Sequence, residues 1–143
     1  MVDYARLESV TQELMDAFNI AAPPIPIESM LQHPRPDMWD DVDITQLSGS
    51  FLNISESYSP RMSLARLLAR HVINCPWGSE RNLTGVDREE GKLYRFARML
   101  VMPESMILEL TPTARTPQLV SAHFEVPEDD ARLRLQELSA VQS

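Results

Sequence analysis

SLARLLARHVINC, residues 63–75, lies near the middle of the 143-residue chain and dominates the interpretation of its fold. Its pattern predicts one helix of about three turns. The segment just before it, QLSGSFLNISES (residues 46–57), alternates its side chains and predicts one or two short strands, with Gly49 as a bulge or turn. Strands followed directly by a helix favour a mixed domain.

Further helical patterns occur before the predicted strands and after the central helix. A first helix is predicted over residues 3–19, with Asp3 as its N-cap, and a short second helix within residues 25–32. After the central helix, four more are predicted, over residues 87–100, 103–110, 116–123 and 127–138, and Asp87 is the expected N-cap of the first of these. Residues 74–84 are expected to form a loop anchored by Trp77. The order predicts a single α+β domain over residues 1–143, mostly helical, with a short β-sheet to one side.

The composition is that of a globular protein with a core, at 43% hydrophobic and 24% charged residues. A lone cysteine, Cys75, allows no intramolecular disulfide, which is typical of a reducing compartment. The first residues do not form a signal peptide, and no apolar run approaches the ~20 residues of a membrane span. We therefore expect a cytoplasmic protein with no membrane partner.

The charge is unevenly distributed. The formal net charge is -8, and residues 1–60 hold ten acids against two bases, whereas residues 61–98 hold eight bases against four acids. An acidic chain repels phosphate backbones, so nucleic-acid binding is disfavoured, although the basic middle could form a local anion site. The last helix offers Arg132 and Arg134 but begins with acids at residues 128–130, which argues against direct contact with DNA.

Four stretches occur in the order that is found in one protein family. They are PPIPIESMLQ (23–32), SGSFLNIS followed by SPRMSLARLLARH (48–55 and 59–71), YRFARMLVMPESM (94–106) and LVSAHFEVPEDDARLRLQEL (119–138). Together they resemble the ImmA/IrrE family of metallopeptidases, and the third closely matches the family pattern A-N-x-F-A-x-x-L-L-M-P. The resemblance implies a zincin-like core.

The resemblance also implies that the chemistry has been lost. Family enzymes bind zinc through both histidines of HExxH and through an acid four residues before the phenylalanine of the third motif, and the glutamate of HExxH is the general base. Here the histidine positions are Arg66 and Arg70, the base position is Leu67, and the third ligand position is Lys92. A guanidinium or ammonium group offers a metal no lone pair, and leucine cannot move a proton. We expect a pseudo-peptidase with no metal and no cofactor.

A binding role follows from the same resemblance. Family members often act on or beside helix-turn-helix repressors, so the implied partner is such a regulator or a peptide from it. Arg66 and Arg70 would share one helix face with Lys92 across from them, which could turn the former metal cleft into an anion pocket for a carboxylate or phosphate. In the alternative, nearby acids such as Glu89 simply neutralise these cations. A structural or oligomerisation module is a further alternative.

A displaced site would instead make the protein a hydrolase. His71 and Cys75 lie four residues apart on the central helix, which is a legitimate metal-ligand spacing, and Glu89 and Glu90 could supply oxygen ligands. The same two side chains could form a Cys/His pair. Against this site, a lone cysteine on an amphipathic helix is more often a small buried hydrophobe.

Overall fold

The computed structural model describes residues 3–43, 58–89 and 91–142. Their α-helices are α1 (Tyr4–Ala17), α2 (Ile27–Gln32), α3 (Ser59–Asn74), α4 (Pro76–Glu80), α5 (Lys92–Val101), α6 (Glu104–Leu108), α7 (Pro117–Phe124) and α8 (Glu128–Gln142). Short 3-10 turns occur at Val86–Arg88 and Pro112–Ala114. None of the described helices has the length and apolar character that a membrane crossing requires.

The prediction of an α+β fold with a short β-sheet is wrong. Every regular element in the described residues is a helix, and none is a strand. The segment assigned to strands, residues 46–57, lies outside the described residues. Its alternation was also imperfect: Leu47 and Phe51 fall on one face, but Leu52 and Ile54 fall on the other, so neither face is uniformly apolar. The described core is instead built by helix packing on helix.

The helix predicted from the central stretch is confirmed as α3. It packs chiefly against α5 and also contacts α2 and α4. Its buried side chains recur at three- and four-residue steps and include Leu64, Ala65, Leu68, Ala69, Val72 and Ile73. This stripe directs the remaining side chains of α3, among them Arg66 and Arg70, away from the core.

The first two predicted helices are also confirmed. The Asp3 carboxylate accepts a hydrogen bond of 2.8 Å from the Arg6 backbone N–H and so caps α1. Leu7, Val10 and Leu14 are fully buried on the face that meets the core, where α1 packs on α5. Helix α2 is short because prolines flank it on both sides.

The start of α5 differs from the prediction. Asp87 is not its N-cap, because the helix begins at Lys92 after Gly91, which has a φ of 83° in the left-handed region. The Asp87 carboxylate instead accepts a hydrogen bond of 3.1 Å from the side-chain amide of Asn74. The segment before α5 is therefore tied to the end of α3, and Asp87 lies in the 3-10 turn Val86–Arg88 rather than at the start of α5.

The predicted loop after α3 contains a further short helix, α4. Trp77 is buried there, with 8% of its surface exposed, which confirms it as an anchor. Gly78 follows, and a Cβ at this position would lie only 1.9 Å from the carbonyl oxygen of Val72. Only glycine lets α4 approach the end of α3 this closely.

The C-terminal half is a set of helices joined by short turns. Thr116 caps α7 by accepting a 3.2 Å hydrogen bond from the Leu119 N–H, and α7 packs on α8. Arg61 of α3 donates to the carbonyl oxygens of Glu125 (2.9 Å) and Phe124 (3.4 Å). This side chain thus satisfies carbonyls that the end of α7 leaves without helical partners.

Candidate functional site

Helix α3 carries the residues that the sequence resemblance assigns to the metal-ligand positions of a zinc peptidase. Arg66 is half-buried, and Arg70, one helical turn later, is exposed. Leu67, which the resemblance assigns to the position of the general base, is partly buried and packs against the core. The structure thus places Arg66 and Arg70 on one face of α3, whereas the aliphatic side chain of Leu67 turns toward the core.

Arg66 is held beside an exposed tyrosine. Its guanidinium carbon lies 5.5 Å from the ring centroid of Tyr94 on α5, and its Nη2 donates to the Ser63 hydroxyl at 3.2 Å. Tyr94 is 54% exposed, the largest exposed fraction among the big apolar side chains of the described residues. A cation over an aromatic face gains about 0.5–1 kcal/mol at such exposed sites. The ring and the Ser63 hydroxyl together orient the Arg66 guanidinium on the surface of α3.

Arg70 has no carboxylate partner among the described residues. The seven cations that do form ion pairs there are Arg6, Arg81, Lys92, Arg95, Arg98, Arg132 and Arg134. Arg66 is absent from that group as well. Two unpaired guanidinium groups one helical turn apart can each fork a carboxylate or phosphate.

Lys92, the third cation of the expected pocket, has partners of its own. Its Nζ lies 3.0 Å from a carboxylate oxygen of Glu89 and 6.0 Å from the ring centroid of Tyr4 on α1. Only 12% of its side chain is exposed. Glu89 therefore neutralises Lys92, as the alternative interpretation of these cations supposes, whereas Arg66 and Arg70 keep their charges uncompensated within the described residues.

The displaced site is brought together only in part. His71 and Cys75 both line an open cavity of about 320 Å³, together with Trp39 and Asp40. Glu89 is engaged with Lys92, and Glu90 lies outside the described residues. No group of three His, Cys, Asp or Glu side chains within the described residues could hold a metal ion.

The chemistry of this cavity is further limited by its hydrogen bonds. The thiol of Cys75 donates to the backbone carbonyl of Val72 at 3.3 Å. Burial lowers the pKa of His71, whose ring lies 6.1 Å from that of Trp39. The site therefore combines a thiol bonded to the backbone with an imidazole near Trp39 whose protonation is disfavoured by burial.

The two arginines of α8 have partners within the chain. Arg134 is fully buried, with Nη1 and Nη2 donating to the Glu8 carboxylate at 2.6 and 2.7 Å and Nε donating to the Met102 carbonyl at 2.9 Å. Arg132 contacts Asp129 at 2.7 Å on its own helix. Each guanidinium is already paired with a carboxylate of this chain, so neither is free to bind a nucleic-acid phosphate.

Sequence reasoning missed Tyr94 and the structural role of Arg134. A signal existed for both. Tyr94 falls outside the apolar stripe of α5, so helical periodicity places it toward solvent. Arg134 lies three residues after buried Ala131 and four before buried Leu138, which puts it on the core face of α8.

No family model, curated protein or solved structure matched this chain in the comparisons that we made. The resemblance to the ImmA/IrrE family thus rests on the sequence motifs alone and stays a prediction.

Proposed function

We propose that this chain is a non-catalytic binding module, a degenerate ImmA/IrrE relative, that holds an acidic segment of a partner protein in the cytoplasm. Arg66 and Arg70 on α3 are the proposed contact residues. By the resemblance, the partner is a helix-turn-helix regulator or a peptide from one.

One observation carries the proposal. Arg66 and Arg70 share the outer face of α3 without a carboxylate partner among the described residues, and Tyr94 stands beside Arg66. Residues at i and i+4 of a helix are neighbours, so two carboxylates at the same spacing on a partner helix would match both guanidinium groups. Lys92 is not a main contact in this proposal, since Glu89 already neutralises it.

The loss of peptidase chemistry supports a binding role. Leu67 has no group that could activate water, and cations at the ligand positions would repel Zn²⁺. Surface arginines that are neither ligands nor paired with acids remain available for recognition. The free state of Cys75 is consistent with the proposed compartment.

The test uses a synthetic helical peptide with glutamate pairs at i,i+4 spacing, titrated into the full chain by calorimetry. Arg66→Ala and Arg70→Ala should each weaken binding about tenfold, because each removes a charge-assisted hydrogen-bonding group. Arg35→Ala is the matched control: Arg35 likewise has no carboxylate partner in the described residues and lies 5.6 Å from the ring centroid of Phe18. Equal effects of all three substitutions, or no binding of the peptide, would refute the proposal.

The second candidate function is a hydrolase built around His71 and Cys75. The observation in its favour is that both side chains line one cavity with Asp40. Metal content after dialysis against zinc, measured by inductively coupled plasma mass spectrometry, separates the two functions. Near one equivalent of zinc that is lost on His71→Ala would favour the hydrolase, whereas less than about a tenth of an equivalent favours the binding module.

A further inference from the structure

A groove of about 410 Å³ lies between α1 and α6, apart from the arginine face of α3. Tyr4, Glu8 and Gln12 line it from α1, and Glu104 and Leu108 line it from α6. A cavity of this size can accept a few side chains of a partner. Neither Arg66 nor Arg70 contributes to its walls.

The two walls of the groove are tied together by side chains. The Ser105 hydroxyl of α6 donates to Gln12 Oε1 of α1 at 2.8 Å, and Gln12 Nε2 donates to Asp16 at 3.0 Å. The Glu8 carboxylate accepts two hydrogen bonds from the buried guanidinium of Arg134 on α8. The Ser105–Gln12 hydrogen bond therefore links the two walls of the groove, and the Arg134 bonds orient the Glu8 side chain on one of them.

Its apolar part is open to solvent. Leu108 is 43% exposed and Ala5 is also exposed, whereas Pro103 of the same lining is buried. An aliphatic side chain of a partner would remove this surface from water, at roughly 25 cal/mol per Å² of apolar area. The groove thus offers an anchor point for one aliphatic side chain.

The charges around the groove favour a cationic partner. Glu104 and Asp16 form no ion pair with any lysine or arginine among the described residues. The one cation of α1, Arg6, is engaged with Glu13 at 3.3 Å. No unpaired cation of α1 or α6 offsets these carboxylates.

We propose that the α1–α6 groove binds a basic amphipathic helix of a partner protein. An aliphatic side chain of that helix packs against Leu108, and its flanking lysine or arginine side chains meet Glu104 and Asp16. Helix-in-groove docking with apolar anchors and complementary charges is a recurrent mode of peptide recognition.

The probe for this site is a fluorescein-labelled peptide of leucine and lysine, about 14 residues or four helical turns long, with its leucines on one face. Binding is followed by fluorescence anisotropy with the full chain. Leu108→Asp and Glu104→Lys should each weaken binding about tenfold, because one places a charge at the apolar anchor and the other reverses the charge of the rim.

Two matched controls lie elsewhere on the surface. Leu119→Asp changes another exposed leucine, on α7, and Glu80→Lys reverses an exposed acid on α4. Both should leave the affinity within about twofold of the parent value, as should Arg66→Ala, so that failure here is distinct from failure of the proposed arginine site.

Three outcomes would overturn the groove proposal. They are equal losses for groove and control variants, equal binding of a scrambled peptide with no leucine face, and no saturable binding at all. The first two would mean that an acidic protein attracts any basic peptide without a defined site.

Discussion

Arg134 on α8 and Glu8 on α1, which are 126 residues apart in sequence, form a buried ion pair with hydrogen bonds of 2.6 and 2.7 Å. Arg134 also donates to the carbonyl of Met102, at the end of α5. One guanidinium group thus joins the first, fifth and last α-helices. All of its hydrogen bonds are directed inward, so its role is structural.

Removal of the carboxylate should strongly destabilise the fold. In Glu8→Ala the buried guanidinium keeps its charge but loses its counterion, and breaking a buried pair in this way costs about 3–5 kcal/mol. Urea unfolding followed by circular dichroism measures the change. Arg132→Ala, which removes an exposed pair within α8, serves as control and should cost less than about 1 kcal/mol. Similar losses for both variants would contradict this account.

Gly78→Ala should also destabilise the protein. The added Cβ would lie 1.9 Å from the Val72 carbonyl oxygen, a backbone atom that cannot rotate away, so α4 must shift from α3. We expect a loss of about 3 kcal/mol in unfolding free energy, at the upper end of typical overpacking costs. Ser79→Ala, at the adjacent exposed position, should change stability by less than about 0.5 kcal/mol. A Gly78→Ala variant as stable as the parent would show that the helix ends can separate freely.

The stability of the fold should depend on pH through His71. Burial lowers the pKa of His71 from 6.5, so the unfolded chain binds this proton more readily than the folded chain. The contribution of His71 is therefore fully present above pH 6.5 and is lost as the pH falls below it. His71→Gln should reduce the fall in melting temperature between pH 7.5 and 5.5 relative to the parent, as measured by differential scanning calorimetry. Parallel pH profiles for the two proteins would exclude His71 as the source.

Arg61→Met should loosen the end of α7. The substitution keeps the aliphatic stem but removes the donors to the carbonyls of Glu125 and Phe124, at a cost of about 2 kcal/mol for charge-assisted bonds in a partly buried site. Hydrogen exchange should accelerate at the amides of Phe124 and Val126. Arg115→Met is the comparison, because Arg115 makes similar bonds within a local, more exposed turn and should cost less.

The helices could be predicted from sequence because each has an apolar stripe at three- and four-residue steps and a recognisable stop. Asp3 at the start of α1 and Thr116 at the start of α7 act as the caps their chemistry indicates. Asp87 is not the cap of α5, because the backbone at Gly91 is left-handed and the helix begins only after it, at Lys92. The predicted sheet is absent from the described residues, and the segment on which it depended, residues 46–57, lies outside them. A short polar segment with glycine is a weak signal for a strand.

The candidate site was predictable only where it depends on one helix. The shared face of Arg66 and Arg70 follows from their four-residue spacing alone. The pairing of Lys92 with Glu89, and its approach to Tyr4, depend on how the loop before α5 turns and on where α1 docks. Such tertiary choices leave no periodic pattern in the sequence.

The Glu8–Arg134 pair also bears on how the chain folds during its synthesis. Because translation proceeds from α1 toward α8, Glu8 leaves the ribosome long before Arg134 exists. Helix α1 therefore cannot complete its packing until α8 has emerged, and closing a loop of this length adds an entropic barrier to folding. A nascent chain stalled before α8 would carry the Glu8 carboxylate without its buried counterion, so the packing of α1 is completed only after α8 has left the ribosome.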